Sequence, residues 1–200
     1  MGNFSTSRQI ALWALILALA VPTAYANIIY SVNRVIGTGS VTGTIVTDGA
    51  TGTLAQADIL DWNLLLNDGS GTFTLLGPLS GSNSAVLLLG TDVTATLSAL
   101  LFNFSGPPGA LLIQYPGIGS GMDFWCLESA NINCTGAGVG ETVDVNSPFP
   151  GQHVALQGNL VFATTGNGVP EPGTLALLGV ALAGLGFARK RSRGLPPTAV

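Results

Sequence analysis

A chain of 200 residues in which only 8% are charged, with a formal net charge of −4, excludes two broad classes of protein. Nucleic-acid binding draws its affinity from phosphate neutralisation, and between Asn27 and Gly168 a single basic residue, Arg34, stands against nine Asp and Glu. Charge-rich disorder is excluded as well, because hydrophobic residues make up 47% of the chain. The 28 glycines, with abundant Thr, Ser, Asn and β-branched residues, suit many short strands joined by tight turns.

At the N-terminal side, Arg8 precedes the apolar run Ile10–Val21, Pro22 breaks it, and Ala24-Tyr25-Ala26 places small residues two apart. This is the charged, apolar and cleavage-site order of a secretory signal peptide, expected over residues 1–26 with cleavage after Ala26. The run is shorter than the ~20 residues a membrane span needs. It has no polar face either, which argues against an amphipathic helix of the body.

Residues 27–165 then read as one β-sandwich-like domain. Strands are expected at Ile28–Ile36, Thr38–Thr47, Thr53–Ala55, Asp58–Leu66, Thr72–Leu76, Ala85–Leu89 and Val93–Phe104. Further strands are expected at Ala110–Tyr115, Met122–Leu127, Glu141–Val145, His153–Leu156 and Leu160–Thr164. Asp48-Gly49 and Asp68-Gly69 are hairpin signals, because Gly accepts the positive φ of such turns. Gly158-Asn159 predicts a last hairpin between the final two strands. Leu54–Leu66 also fits helical apolar spacing, but Gly52 and Asn67-Asp68 bound it tightly, and strand is the expectation.

Few residues in the body suggest chemistry. Cys126 and Cys134 enclose seven residues, and behind a signal peptide a disulfide is the expectation. His153 has no second His or third Cys to complete a metal or thiol site. Asp58, Asp61 and Asp68 offer oxygens for Ca²⁺, yet Asp48 and Asp68 are explained by their Asp-Gly turns. Glu128 and Glu141 are the body's only glutamates and would serve glycan hydrolysis only if held across one cleft. Trp62 and Trp125 could stack on sugars, but large apolar rings flanked by Leu or Phe suit a core. Thr-x-Thr pairs at Thr42/Thr44, Thr51/Thr53, Thr72/Thr74 and Thr94/Thr96 would suit ice or polysaccharide if they shared a flat face. No catalytic residue, cofactor or metal is expected.

After a flexible Gly166-Asn-Gly168 joint comes Val169-Pro-Glu-Pro-Gly173, stiff because Pro170 and Pro172 fix their own φ and extend the residues before them. The apolar run Thr174–Ala188 would form about 22 Å of helix, short against a ~30 Å hydrocarbon core unless flanking side chains snorkel. Arg189, Lys190, Arg191 and Arg193 form a basic stop that the positive-inside rule places in the cytoplasm, with the body outside.

Motif, apolar helix and basic cluster in that order over residues 166–193, centred on Pro170, Glu171 and Pro172, resemble a PEP-CTERM sorting signal. The resemblance implies a bacterial exported protein whose precursor sits in the inner membrane with its body periplasmic. It implies further that an exosortase, a membrane-embedded protease, removes the tail and passes the protein to the surface or matrix. Residues 194–200 lie beyond the basic cluster and are expected to be disordered. Because such tails are attached to different bodies, some of them ice-binding, the body's role is an expectation of its own. That expectation is a non-catalytic structural or polysaccharide-contacting β domain, with a secreted glycan-acting hydrolase or an ice-binding or adhesin module as the alternatives.

Overall fold

The computed structural model describes residues 26–131, 134, 138–146 and 151–166. The predicted signal peptide but for Ala26, and the tail from Asn167 onward, lie outside the described residues. Among the described residues no helix is long and apolar enough to cross a membrane.

The described chain is all-β, with one short 3-10 turn at Gln56–Asp58. Its strands are β1 Ile28–Ile36, β2 Gly39–Thr47, β3 Gly52–Thr53, β4 Ile59–Asn67, β5 Thr72–Leu76, β6 Ala85–Leu89 and β7 Val93–Ala95. They continue with β8 Ala99–Asn103, β9 Ala110–Gln114, β10 Phe124–Glu128, β11 Gly140–Asp144, β12 Gln152–Ala155 and β13 Asn159–Thr165. An eight-stranded sheet runs β3-β7-β8-β13-β1-β2-β4-β5, and a five-stranded sheet runs β12-β11-β10-β9-β6. Every pairing within the two sheets is antiparallel.

Period-2 alternation decides which face of each strand enters the core. In β1, Ile28, Tyr30, Val32 and Ile36 are buried, while Ile29, Ser31, Asn33 and Val35 are exposed. The inward side chains continue across the sheet as Tyr30–Ile45–Trp62 and Val32–Gly43–Leu64–Leu75. From the smaller sheet, Leu111, Ile113, Trp125, Leu127 and Val143 join the same buried cluster. Burial of this apolar surface is the main favourable term holding the two layers together. The smaller sheet also buries Leu112, Phe124 and Cys126 on its other face, with Cys134.

Polar ties align the layers. The β1–β2 hairpin turns at Gly37, whose φ of +60° favours glycine, and the next amide, Thr38 N–H, donates to Gln152 Oε1 of the smaller sheet at 3.1 Å. Trp62 is core rather than surface, and its Nε1–H donates to Ser84 Oγ at 2.8 Å.

Three local expectations are corrected. Val93–Phe104 is two strands, because Thr96 Oγ1 accepts the Ser98 and Ala99 amides at 3.2 and 2.9 Å and turns the chain there. Asp48-Gly49 does not close a hairpin between sequence neighbours: β2 pairs with β4, while β3 lies at the opposite edge on β7. Gly158-Asn159 joins no hairpin either, since β12 pairs with β11 in the smaller sheet and β13 with β1 and β8 in the larger. In each case the turn chemistry is local, whereas burial of the next strand's apolar face chooses the sheet it enters.

Candidate functional site

The body's one cation lies on the inward phase of β1. Arg34 stands in the row Arg34–Val41–Leu66–Phe73, where alternation calls for an apolar side chain. Its answer comes from the facing sheet. Arg34 Nη2–H donates to Glu141 Oε2 at 2.7 Å, and Nε–H donates to the same carboxylate at 3.0 Å. Trp125 Nε1–H donates to Glu141 Oε1 at 2.9 Å. Glu141 is fully buried, and the pair is tolerated because several charge-assisted donors replace the lost hydration.

Arg34 reaches its partner through a local irregularity. In β13, Phe162 and Ala163 are both buried while Val161 and Thr164 on either side are exposed, the mark of a bulge between Val161 and Ala163. Pairing of β1 with β13 runs only from Tyr30–Thr165 to Val32–Ala163. Beyond it Arg34 Nη1–H donates to the Val161 carbonyl at 3.3 Å, and the Phe162 ring meets Trp125 edge-on at 5.9 Å.

The two glutamates do not share a cleft. Leu127 pairs directly with Glu141, so both point into the core, and Glu128, one residue on along β10, points to the opposite face. There Glu128 Oε2 accepts the Cys134 amide at 3.2 Å.

The three aspartates that offered oxygens for Ca²⁺ each accept backbone amides. Asp58 Oδ2 accepts the Ala55 amide at 2.7 Å beside the 3-10 turn, and Asp61 Oδ1 accepts the Leu79 amide at 3.0 Å. Asp68 Oδ1 accepts the Ser70 and Gly71 amides of its own turn at 2.8 and 2.9 Å, and Oδ2 accepts Val145 N–H at 3.2 Å from the other sheet. Burial pushes the Asp68 carboxyl up, but these donors and Ser70 Oγ outweigh it and hold it below the usual carboxylate range. Asp144 is driven the other way, by burial first and then by the charges of Asp68 and Asp123, with the Gly151 amide partly offsetting them. Asp58, Asp61 and Asp68 thus hold three different turns, and among the described residues no three His, Cys, Asp or Glu side chains are grouped to hold a metal ion. His153 Nδ1 lies 3.0 Å from Thr142 Oγ1, its cross-strand neighbour.

The outer face of the larger sheet is of another kind. One row reads Thr164–Ser31–Thr44–Asn63–Leu76, the next Asn33–Thr42–Leu65–Thr74, and the next Val35–Ser40–Asn67–Thr72. Thr42/Thr44 and Thr72/Thr74 therefore meet on one face. Thr53 and Thr94 pair with each other towards the far edge, and Thr96 is used in a turn. None of these rows contains an ionisable side chain.

Sequence reasoning missed the Arg34–Glu141–Trp125 bridge, although a signal for it exists. A lone Arg on the apolar phase of a strand needs a buried acid, and Glu141 occupies such a phase on β11, where Val143 and, just past the strand's end, Val145 face the core. Cys126 and Cys134 have a Cα–Cα distance of 5.9 Å, inside the range a disulfide requires.

The sorting residues Pro170, Glu171 and Pro172 and the basic stop lie outside the described residues, as does Ala24. Ala26, at the expected cleavage point, is exposed two residues ahead of β1. Comparison with curated proteins and with solved structures returns no match. The family model for the PEP-CTERM protein-sorting motif matches residues 168–191, spanning the Pro-Glu-Pro, the apolar run and the basic residues through Arg191. The chain therefore carries a PEP-CTERM protein-sorting motif, which implies export and processing by an exosortase at the membrane.

Proposed function

We propose that the β domain is a non-catalytic module of the cell surface or extracellular matrix, and that it contacts uncharged polysaccharide through the outer face of the eight-stranded sheet. The observation that carries this reading is the set of in-register Thr, Ser and Asn rows across β13, β1, β2, β4 and β5. Short hydroxyl and amide side chains donate and accept hydrogen bonds without charge, which matches the hydroxyls of a neutral glycan. Exposed Ile29, Val35 and Leu65 add apolar area for sugar C–H surfaces. The ionisable groups that would support hydrolysis are turned to other use, with Glu141 bound in the core by Arg34 and Trp125. Export through an N-terminal signal peptide would carry Cys126 and Cys134 into an oxidising compartment, where they would form a disulfide.

The test is co-sedimentation of the full chain with the extracellular polymer of the cells that make it. Retention on the polymer is expected, and its absence would contradict the polysaccharide contact. The same Thr rows favour ice binding as a second reading, which thermal hysteresis in the purified protein would reveal. Leu65 and Leu76 interrupt the rows, and sheet twist works against a long flat match to a lattice.

A further inference from the structure

We infer that the hollow where β1 and β13 separate is a binding subsite for one uncharged sugar unit, an inference that rests on the polysaccharide-contacting reading above. The bulge at Phe162 ends the β1–β13 ladder at Val32–Ala163, and the strands then diverge around an open space of about 120 Å³. Its lining includes Ser31, Asn33, Arg34, Val161 and Thr164. Ser31, Asn33 and Thr164 are exposed, and among the described residues no side-chain hydrogen bond engages them. Asn67 and Asn103, by contrast, use their side-chain oxygens on the amides of adjoining turns.

The guanidinium edge sets the chemistry at the floor. Of its five N–H groups, Nε–H and one on Nη2 serve Glu141, and one on Nη1 serves the Val161 carbonyl. The two that are left can donate to a ligand oxygen, while Glu141 cancels the charge that would attract an anion. The surrounding body, with nine acidic residues to one basic, repels polyanions. A neutral hydroxyl-bearing ring satisfies this arrangement. It accepts from the guanidinium and the Asn33 amide, donates to Asn33 Oδ1 or Ser31 Oγ, and lays its C–H edge on Val161, which is 44% exposed.

Affinity electrophoresis of the full chain in gels containing dextran, mannan or galactan tests this, with alginate as the anionic comparison. Wild type should be retarded by at least one uncharged polymer and not by alginate. Ser31→Ala/Asn33→Ala and, separately, Asn33→Glu should weaken that retardation at least fivefold, whereas Gln157→Ala, outside both the hollow and the polar rows, should change it less than twofold. All these positions are exposed, so unchanged melting temperatures are expected, and Asn33→Glu alone decides the matter if the double variant is destabilised. Retardation of wild type and hollow variants alike would overturn the subsite and leave the polysaccharide contact standing. Stronger retardation by alginate would overturn the uncharged ligand class. No retardation by any uncharged polymer would overturn both subsite and contact. Self-association of wild type abolished by Asn33→Glu, with no glycan effect, would assign the hollow to a second copy instead.

Discussion

Arg34 and Glu141, 107 residues apart in sequence and on facing sheets, meet at 2.7 Å across the core. The pair does for the two layers what apolar packing alone does not. A two-nitrogen contact on one carboxylate has a defined direction, so it fixes the lateral register of the sheets as well as their separation.

Removing one member should therefore cost more than a surface ion pair. Glu141→Ala strands the guanidinium and Trp125 Nε1 together, and a loss of about 3–5 kcal/mol is expected from denaturant unfolding. Arg34→Met with Glu141→Gln removes both charges and keeps an acceptor for Trp125. The double variant should recover most of the loss seen with Arg34→Met alone. Strictly additive effects in the double-mutant cycle would show that the two side chains do not act as a unit.

The acidic turn region predicts opposite pH effects for two neighbouring aspartates. Asp68 titrates below its unfolded value near 3.8, so its contribution is present above that pH and is lost as pH falls through the lower folded value. Asp68→Asn should cost about 1.5–3 kcal/mol at neutral pH, with the difference vanishing in acid. Asp144 titrates above 3.8, so its ionisation opposes folding as pH rises from there through the raised folded value. Asp144→Asn keeps an oxygen for the Gly151 amide and should be neutral or stabilising at pH 7. Thermal melts from pH 3 to 8 separate the two signs.

The cysteine pair offers a third check. Cys126→Ala/Cys134→Ala opens a loop with a sequence separation of 8 and should lose about 2.5 kcal/mol in chain-entropy terms. A reducing agent should lower wild-type stability by a similar amount and leave the double variant unchanged. Equal stability of wild type with and without reductant would show that the thiols are not joined in the exported protein.

How far the chain could be read in advance follows from which signals are local. Strand positions were legible, because Ile28–Ile36 and Thr72–Leu76 alternate cleanly between turn residues, and the observed β1 and β5 have those bounds. Strand order was not. Asp48-Gly49 and Gly158-Asn159 state that the chain turns, while the partner of the next strand depends on which apolar face it must cover. The Thr-x-Thr pairs look scattered along the sequence, yet the register of β2, β4 and β5 gathers two of them on one face. The Arg34–Glu141 bridge was hidden because composition counts a cation without saying which side of the strand it occupies. The sorting tail was legible as sequence alone, since its recognition rests on the order of motif, apolar run and basic cluster.

The most direct measurement of the account is the fate of the tail in cells that carry an exosortase. Pro170, Glu171 and Pro172 are changed together to alanine, and the protein is followed by fractionation and intact mass. Wild type should be recovered outside the inner membrane without residues 174–200, while the variant accumulates in the inner membrane at precursor mass. Release of the variant at the same rate and mass as wild type would contradict it.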